Sequence, residues 1–162
     1  MQREDIVKIL STATITKGLE PADLTVLLSY AVVEPAPHGW MVLAEGQRGE
    51  VLYVVLKGQL RVMLLAVDRR DHPNRLRDIH LHTLTPGDCF GEYSLIDSEP
   101  VSASVIATVP VELLKITGKD FQTVAAHHDR LAKTVYCNLL HILVRRLRQH
   151  NQELDLNLDV ME

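Results

Sequence analysis

The chain has 162 residues, 46% of them apolar and 23% charged, with a formal net charge of −4. That length supports one domain with a full hydrophobic core, and the mild acidity excludes a surface that binds nucleic acid over its whole extent. No apolar run approaches the ~18 residues of a membrane span. The charged start, "MQREDIVKIL", lacks the apolar centre of a signal peptide, so a cytoplasmic protein without membrane contact is expected. Cys89 and Cys137 have no metal-type spacing and read as free thiols of a reducing compartment, both in or near the core.

The first predicted elements are helical. Residues 4–11 and 20–31 carry a three- and four-residue apolar rhythm; Pro21 suits a helix start, and Leu24, Leu27, Leu28 and Ala31 recur along one face. Pro35 and Pro37 close this region. From Trp40 to about Ile116 the pattern changes to short runs of branched residues between glycine turns. "WMVLAEG", "VLYVVLKGQLRVMLLAV", "IHLHTL", "SASVIATV" and "VELLKI" recur about every ten residues, the spacing of a sandwich or barrel. Lys57-Gly58-Gln59 reads as a hairpin turn, with Gly58 supplying the positive φ. The segment "DRRDHPNRLRD", residues 68–78, carries seven charges and reads as an exposed loop, its arginines interleaved with aspartates.

A short helix follows at "TGKDFQTVAAHH", then a long one from about Asp129 to Glu153. Leu131, Val135, Leu139, Ile142, Leu143 and Leu147 give it an apolar stripe wider than covering a barrel requires. Arg145, Arg146 and Arg148 load its last turns with charge that favours the helix dipole. The boundaries expected are N-terminal helices over 1–36, β-strands over 37–117, C-terminal helices over 118–153 and a loosely ordered acidic tail over 154–162.

Enzyme signatures are absent: the sequence holds no G-x-S-x-G, no G-x-x-x-x-G-K-[ST] and no H-E-x-x-H. His80 and His82, two apart on a predicted strand, share a face in this reading. With Cys89 nearby they suggest either a metal site or the polar side of a strand, and the second reading is favoured. Glu45 and Glu50, next to turn glycines, read as solvated. No catalytic residue, metal or firm cofactor is expected.

The stretch "GDCFGEYSLIDSEPVSASVIA", residues 87–107, is different. Gly91 before Glu92, then a segment able to start a helical turn, combines free backbone N–H groups with a carboxylate. This suits a ligand with both a phosphate and a sugar hydroxyl, although a structural turn explains the glycine as well. "FGEYSLIDSEPVSASVIA" resembles the phosphate-binding cassette of the cyclic-nucleotide-binding domain family, whose members include the catabolite activator protein, protein kinase A regulatory subunits and cyclic-nucleotide-gated channels. "HGWMVLAEGQRGEVLYVVLKGQLRVMLL", "LTPGDCFGE" and "VELLKITGKDFQTV" follow the same family's landmarks in order, so the resemblance spans about residues 19–150.

The resemblance implies a mainly β fold with flanking helices: a double-stranded β-helix or jelly-roll-like β-roll, N-terminal helices and a long C-terminal helix. It implies backbone from Gly91 at a cyclic phosphate, Glu92 on the ribose 2′-hydroxyl, Ser94 and Leu95 in the short cassette helix, and Ser102 as a phosphate donor beside Ser104. The position that is normally arginine is Val101, so binding of cAMP or cGMP is expected to be weak or altered. Arg61, on a neighbouring strand, is an auxiliary cation candidate. Asn138 and His141 are candidates for a purine edge or dimer register, with a solvated polar face as the plainer reading. The wide stripe of helix 129–153 implies a homodimer. "RRLR" is too short to read DNA alone, so the expectation is a sensor domain, either standing alone or cut from a longer regulator. A ligand-free interaction scaffold is the alternative.

Overall fold

The computed structural model describes residues 2–66 and 77–159, with side chains to residue 152. Its elements in chain order are α1 (Arg3–Thr12), a 3-10 turn (Thr14–Thr16), α2 (Pro21–Ser29), β1 (Val32–Ala36), β2 (Met41–Leu43), β3 (Val51–Lys57), β4 (Leu60–Leu64), β5 (Ile79–Leu84), β6 (Cys89–Phe90), α3 (Glu92–Asp97), β7 (Ser104–Ala107), β8 (Val111–Thr117), α4 (Gly118–His127) and α5 (Asp129–Asp159).

The strands form two four-stranded antiparallel sheets, β1-β8-β3-β6 and β2-β7-β4-β5. This is the β-roll with flanking helices that the sequence implied. Between the sheets lies one core, built from Leu43, Tyr53, Val55, Leu60, Val62, Leu84, Phe90, Val105 and Leu113, among others. The second core lies on the other side of the first sheet, where Leu52, Val54, Leu56, Leu114 and Ile116 meet Leu10, Phe121, Val124, Leu131, Val135, Leu139 and Ile142 of the helices. Strand β3 explains this layering. Alternate residues of a strand point to opposite faces, and "VLYVVL" is apolar at every position, so one strand feeds both cores.

Four features differ from the sequence reading. Val32–Ala36, assigned there to the end of the helical region, is an edge strand paired with β8 through Pro35↔Glu112. Proline is tolerated at an edge because no ladder donor is needed there. Lys57-Gly58-Gln59 is not a hairpin: β3 and β4 belong to different sheets, so the turn is a corner between them. Gly58 has φ 86°, and a Cβ there would strike Pro110 O and Val111. Helix α5 continues to Asp159 rather than ending near 153. The loop reading of residues 68–78 lies mostly outside the described residues; Asp78, within them, accepts from the Ala66 N–H at 2.7 Å.

The fourth difference is a bulge. Val62 pairs with His82 and Met63 with His80, leaving Leu81 without a partner. A single extra residue reverses which side its neighbours face. His82 therefore points inward with Val62, whereas His80 lies exposed, its Nε2 3.1 Å from the Thr83 hydroxyl. The two histidines do not share a face. Among the described residues no group of three or more His, Cys, Asp or Glu is arranged to hold a metal. Nor is any described helix long and apolar enough to cross a membrane.

Candidate functional site

Residues 86–104 run from the end of the second sheet, through β6 and α3, back into β7. Gly91 caps α3 at φ 82°. A Cβ there would run into the Val51 carbonyl oxygen of β3. Packing alone demands glycine at this position. Helix α3 then carries Ser94, which is buried, and Leu95, which packs against the helix-side core.

Glu92 is among the most deeply buried side chains of the protein, 1% exposed. Its partner comes from the other end of the chain: Arg146 of α5 donates through Nη1 to Glu92 Oε1 and through Nη2 to the Cys89 carbonyl at 2.6 Å. Burial pushes the Glu92 carboxyl up from the usual carboxylate range, and the Arg146 guanidinium pulls part of that back. Burial is the largest single influence on Arg146 and works against its charge, but Glu92, Cys89 and Tyr93 together outweigh it and hold the guanidinium up. Cys89, buried beneath the pair, has its thiol pushed up to about 12 by desolvation, with Glu92 adding to the shift. A thiol so placed is inert at neutral pH.

The closing half of the cassette is fastened to the β2–β3 loop. Val101 N–H donates to the Gln47 carbonyl at 2.9 Å, and Val101 O accepts from Gly46 N–H at 2.8 Å. The valine side chain is buried in the core between the sheets. Ser102 is exposed. Ser104 is buried, its hydroxyl accepting from the Glu45 N–H at 3.1 Å. Glu45, read from the sequence as solvated, is itself buried.

The auxiliary candidates lie elsewhere. Arg61 pairs with Thr83 and Ile106 between the inward-facing Leu60 and Val62, so it projects from the outer face of the second sheet. There it lines a shallow depression with His38, Met63 and Asp78, away from Val101. Asn138 donates to the carbonyls of Ile15 at 2.9 Å and Lys17 at 2.8 Å. That occupies its amide in holding α5 to the N-terminal turn. His141 is exposed, its Nδ1 2.8 Å from the Cys137 carbonyl one turn back. Cys137, expected near the core, is exposed as well.

A cavity of about 820 Å³ opens between the cassette, β5 and α5, with His82, Asp88, Tyr93, Arg145, Arg146 and His150 among its lining residues. The polar α5 groups of this lining include Arg145, Arg146 and His150, whereas Asn138 and His141 do not line it. One signal for this lies in the spacing: α5 turns its buried stripe through Leu139 and Ile142, and Arg146 falls one turn beyond Ile142 on the same side. The helix dipole offered a sufficient local reason for the arginines and hid that periodicity.

Known proteins share this arrangement. The cyclic nucleotide-binding domain model matches residues 34–128. The cyclic AMP receptor protein of Thermus thermophilus is 33% identical over 139 residues, 86% of this chain and 59% of that protein. A CRP-like cAMP-activated global transcriptional regulator of Mycobacterium tuberculosis is 29% identical over 147 residues, 91% of this chain and 61% of that protein. The chain thus spans about three-fifths of these relatives. The crystal structure of the Thermus thermophilus catabolite activator protein superposes with a TM-score of 0.73 at 32% identity, covering 89% of this chain and 62% of that one. A cyclic nucleotide-binding domain from Methylobacillus flagellatus shares the fold, with a TM-score of 0.78 at 24% identity over 93% of this chain and 80% of that one. With the roll, the cassette helix and the long C-terminal helix all in place, the chain belongs to the cyclic nucleotide-binding domain family.

Proposed function

We propose that this domain is a non-enzymatic sensor of a cyclic nucleotide or a similar small anion, with weak affinity for cAMP and cGMP. Its output is a ligand-linked movement of α5 against the roll. The observation that carries this reading is the meeting of Glu92 and Arg146, which joins the cassette directly to α5. Any ligand whose hydroxyl engages Glu92 acts on the same carboxylate that holds the helix. Weak affinity follows from Val101: a hydrogen bond to a charged group contributes about 1.5–3 kcal/mol, so its absence costs roughly 10- to 100-fold in binding.

The homodimer is proposed through α5, whose outward side carries Tyr136, Leu140, Val144 and Leu147, all exposed and spaced at four, four and three residues. In the relatives the matched region is part of a longer regulator, and the same role as a sensory part, without DNA contact of its own, is proposed here. A ligand-free scaffold is the second reading. It is favoured by one observation, that Glu92 already has a charged partner.

Calorimetry and a thermal-shift screen with cAMP, cGMP and cyclic dinucleotides test both readings. Millimolar binding with a raised melting temperature is expected. Micromolar or tighter binding of cAMP or cGMP overturns the weak-affinity claim. No shift with any of these nucleotides gives the scaffold reading.

A further inference from the structure

The cassette segment carries no cation of its own, and the position beside Ser102 is filled by a valine buried among apolar side chains. A cation nevertheless reaches the cassette from outside the roll. Arg146 extends from α5 to Glu92 and the Cys89 carbonyl, and it also lines the 820 Å³ cavity. Tyr93 is a third hydrogen-bond partner of Arg146, and a guanidinium has five N–H donors, so donors remain for a ligand. The rest of the cavity wall points the same way. Arg145 stands with Arg146 in that wall, and the lining carboxylate, Asp88, is engaged by the Thr85 N–H at 2.8 Å and the Thr85 hydroxyl at 3.0 Å. Both guanidiniums of this wall, Arg145 and Arg146, sit on the helix.

We propose that Arg146 is the anion-binding residue of this domain, supplying from α5 part of the charge that the cassette lacks at Val101; because Glu92 shares the guanidinium, the affinity stays weak. Glu92 keeps the part-buried guanidinium oriented in the free protein. An anionic ligand recruits its remaining donors, in the bidentate geometry that favours arginine over lysine for phosphate. Because Glu92 and the Cys89 carbonyl belong to the roll and Arg146 to the helix, the anion is held by both parts at once. Charge recognition and helix position thereby become one event. This inference rests on the sensor reading above and names the residue through which the charge is read.

The test compares cAMP with adenosine, its counterpart without phosphate, on the full chain at low ionic strength. Wild type is expected to prefer cAMP at least about tenfold. Arg146→Gln is expected to bring the two ligands within about twofold, and adding Val101→Arg to that variant to restore the preference. A folded Arg146→Gln chain that keeps the tenfold preference overturns the inference and leaves the sensor reading standing. Equal binding of cAMP and adenosine by wild type does the same. Binding of neither ligand removes the sensor reading and the inference with it. A measurement on wild type covers the case in which Arg146→Gln does not fold. The side-chain nitrogen resonances of Arg146 are expected to shift with cAMP and stay still with adenosine, and unmoved resonances under cAMP overturn the assignment.

Discussion

Asn138 on α5 donates its amide hydrogen to the Ile15 carbonyl at 2.9 Å, and a second bond from the same amide reaches Lys17 O at 2.8 Å. One side chain thus fastens the long helix to a turn more than 120 residues earlier in the chain. Arg130 adds a bond to Asp23 of α2 at 2.6 Å, so the first half of α5 is tied to the N-terminal helices and the second half to the cassette through Arg146.

Asn138→Leu removes both bonds and leaves two carbonyls without their partner. A loss of about 1–3 kcal/mol is expected. Urea unfolding measures it, and amide exchange should rise first in α5 and in residues 13–18. An unchanged midpoint contradicts the clamp.

Glu92 gives a pH dependence of unusual sign. Burial raises its folded-state value above the ordinary carboxyl range, so the folded protein takes up the proton before the unfolded chain does. The contribution of Glu92 to stability therefore grows as pH falls from the raised value toward about 4.3, the unfolded value, and is lost as pH rises through that window. The stability difference between wild type and Glu92→Gln, followed by thermal unfolding from neutral to acidic pH, should move in favour of wild type. Movement the other way means that the attraction of Arg146 outweighs burial.

Gly91→Ala tests how much of the cassette is structural. The new methyl group meets the Val51 carbonyl at a positive φ, and each such strain costs on the order of 1–3 kcal/mol. The variant should lose stability without any ligand present. A variant as stable as wild type would assign this glycine to ligand contact alone.

The two thiols separate cleanly. Cys137 is exposed on α5, whereas Cys89 is buried with its thiol held near 12. A thiol reagent at neutral pH should modify Cys137 quickly and Cys89 only on unfolding, read by mass spectrometry. Rapid double modification would show that the α5–cassette junction opens readily.

The outward stripe of α5 predicts an oligomeric state. Leu140→Asp with Leu147→Asp places charges on residues already 60% and 61% exposed, so the fold should persist while a dimer becomes a monomer in light scattering. A wild-type chain that is monomeric throughout contradicts the proposed homodimer.

Much of this molecule is legible in its residues, but by different routes. The roll follows from apolar runs such as "VLYVVL", and the cassette from "FGEYSL", because both depend on neighbours close in sequence. Gly58 announces a turn, yet φ alone does not say whether the flanking strands pair or part. That depends on Pro110 and Val111, about a third of the chain away. Arg146 was hidden for a related reason. A helix dipole explains three arginines locally, whereas the carboxylate that claims one of them lies 54 residues earlier. For Asn138, a polar residue beside an apolar stripe suits a ligand as well as a carbonyl, and only the fold brings Ile15 there. His80 and His82 were joined by counting in twos, which holds until a strand takes up an extra residue.

That extra residue, Leu81, bears on how the domain tolerates change. In a regular strand, losing one residue turns every side chain beyond it over. Here the residue lost would be the one without a partner, and Val62↔His82 and Met63↔His80 would simply become consecutive rungs. The strand carries a spare position: a gap in an aligned homologue at Leu81 would leave the imidazole of His82 in the cavity and that of His80 outside it.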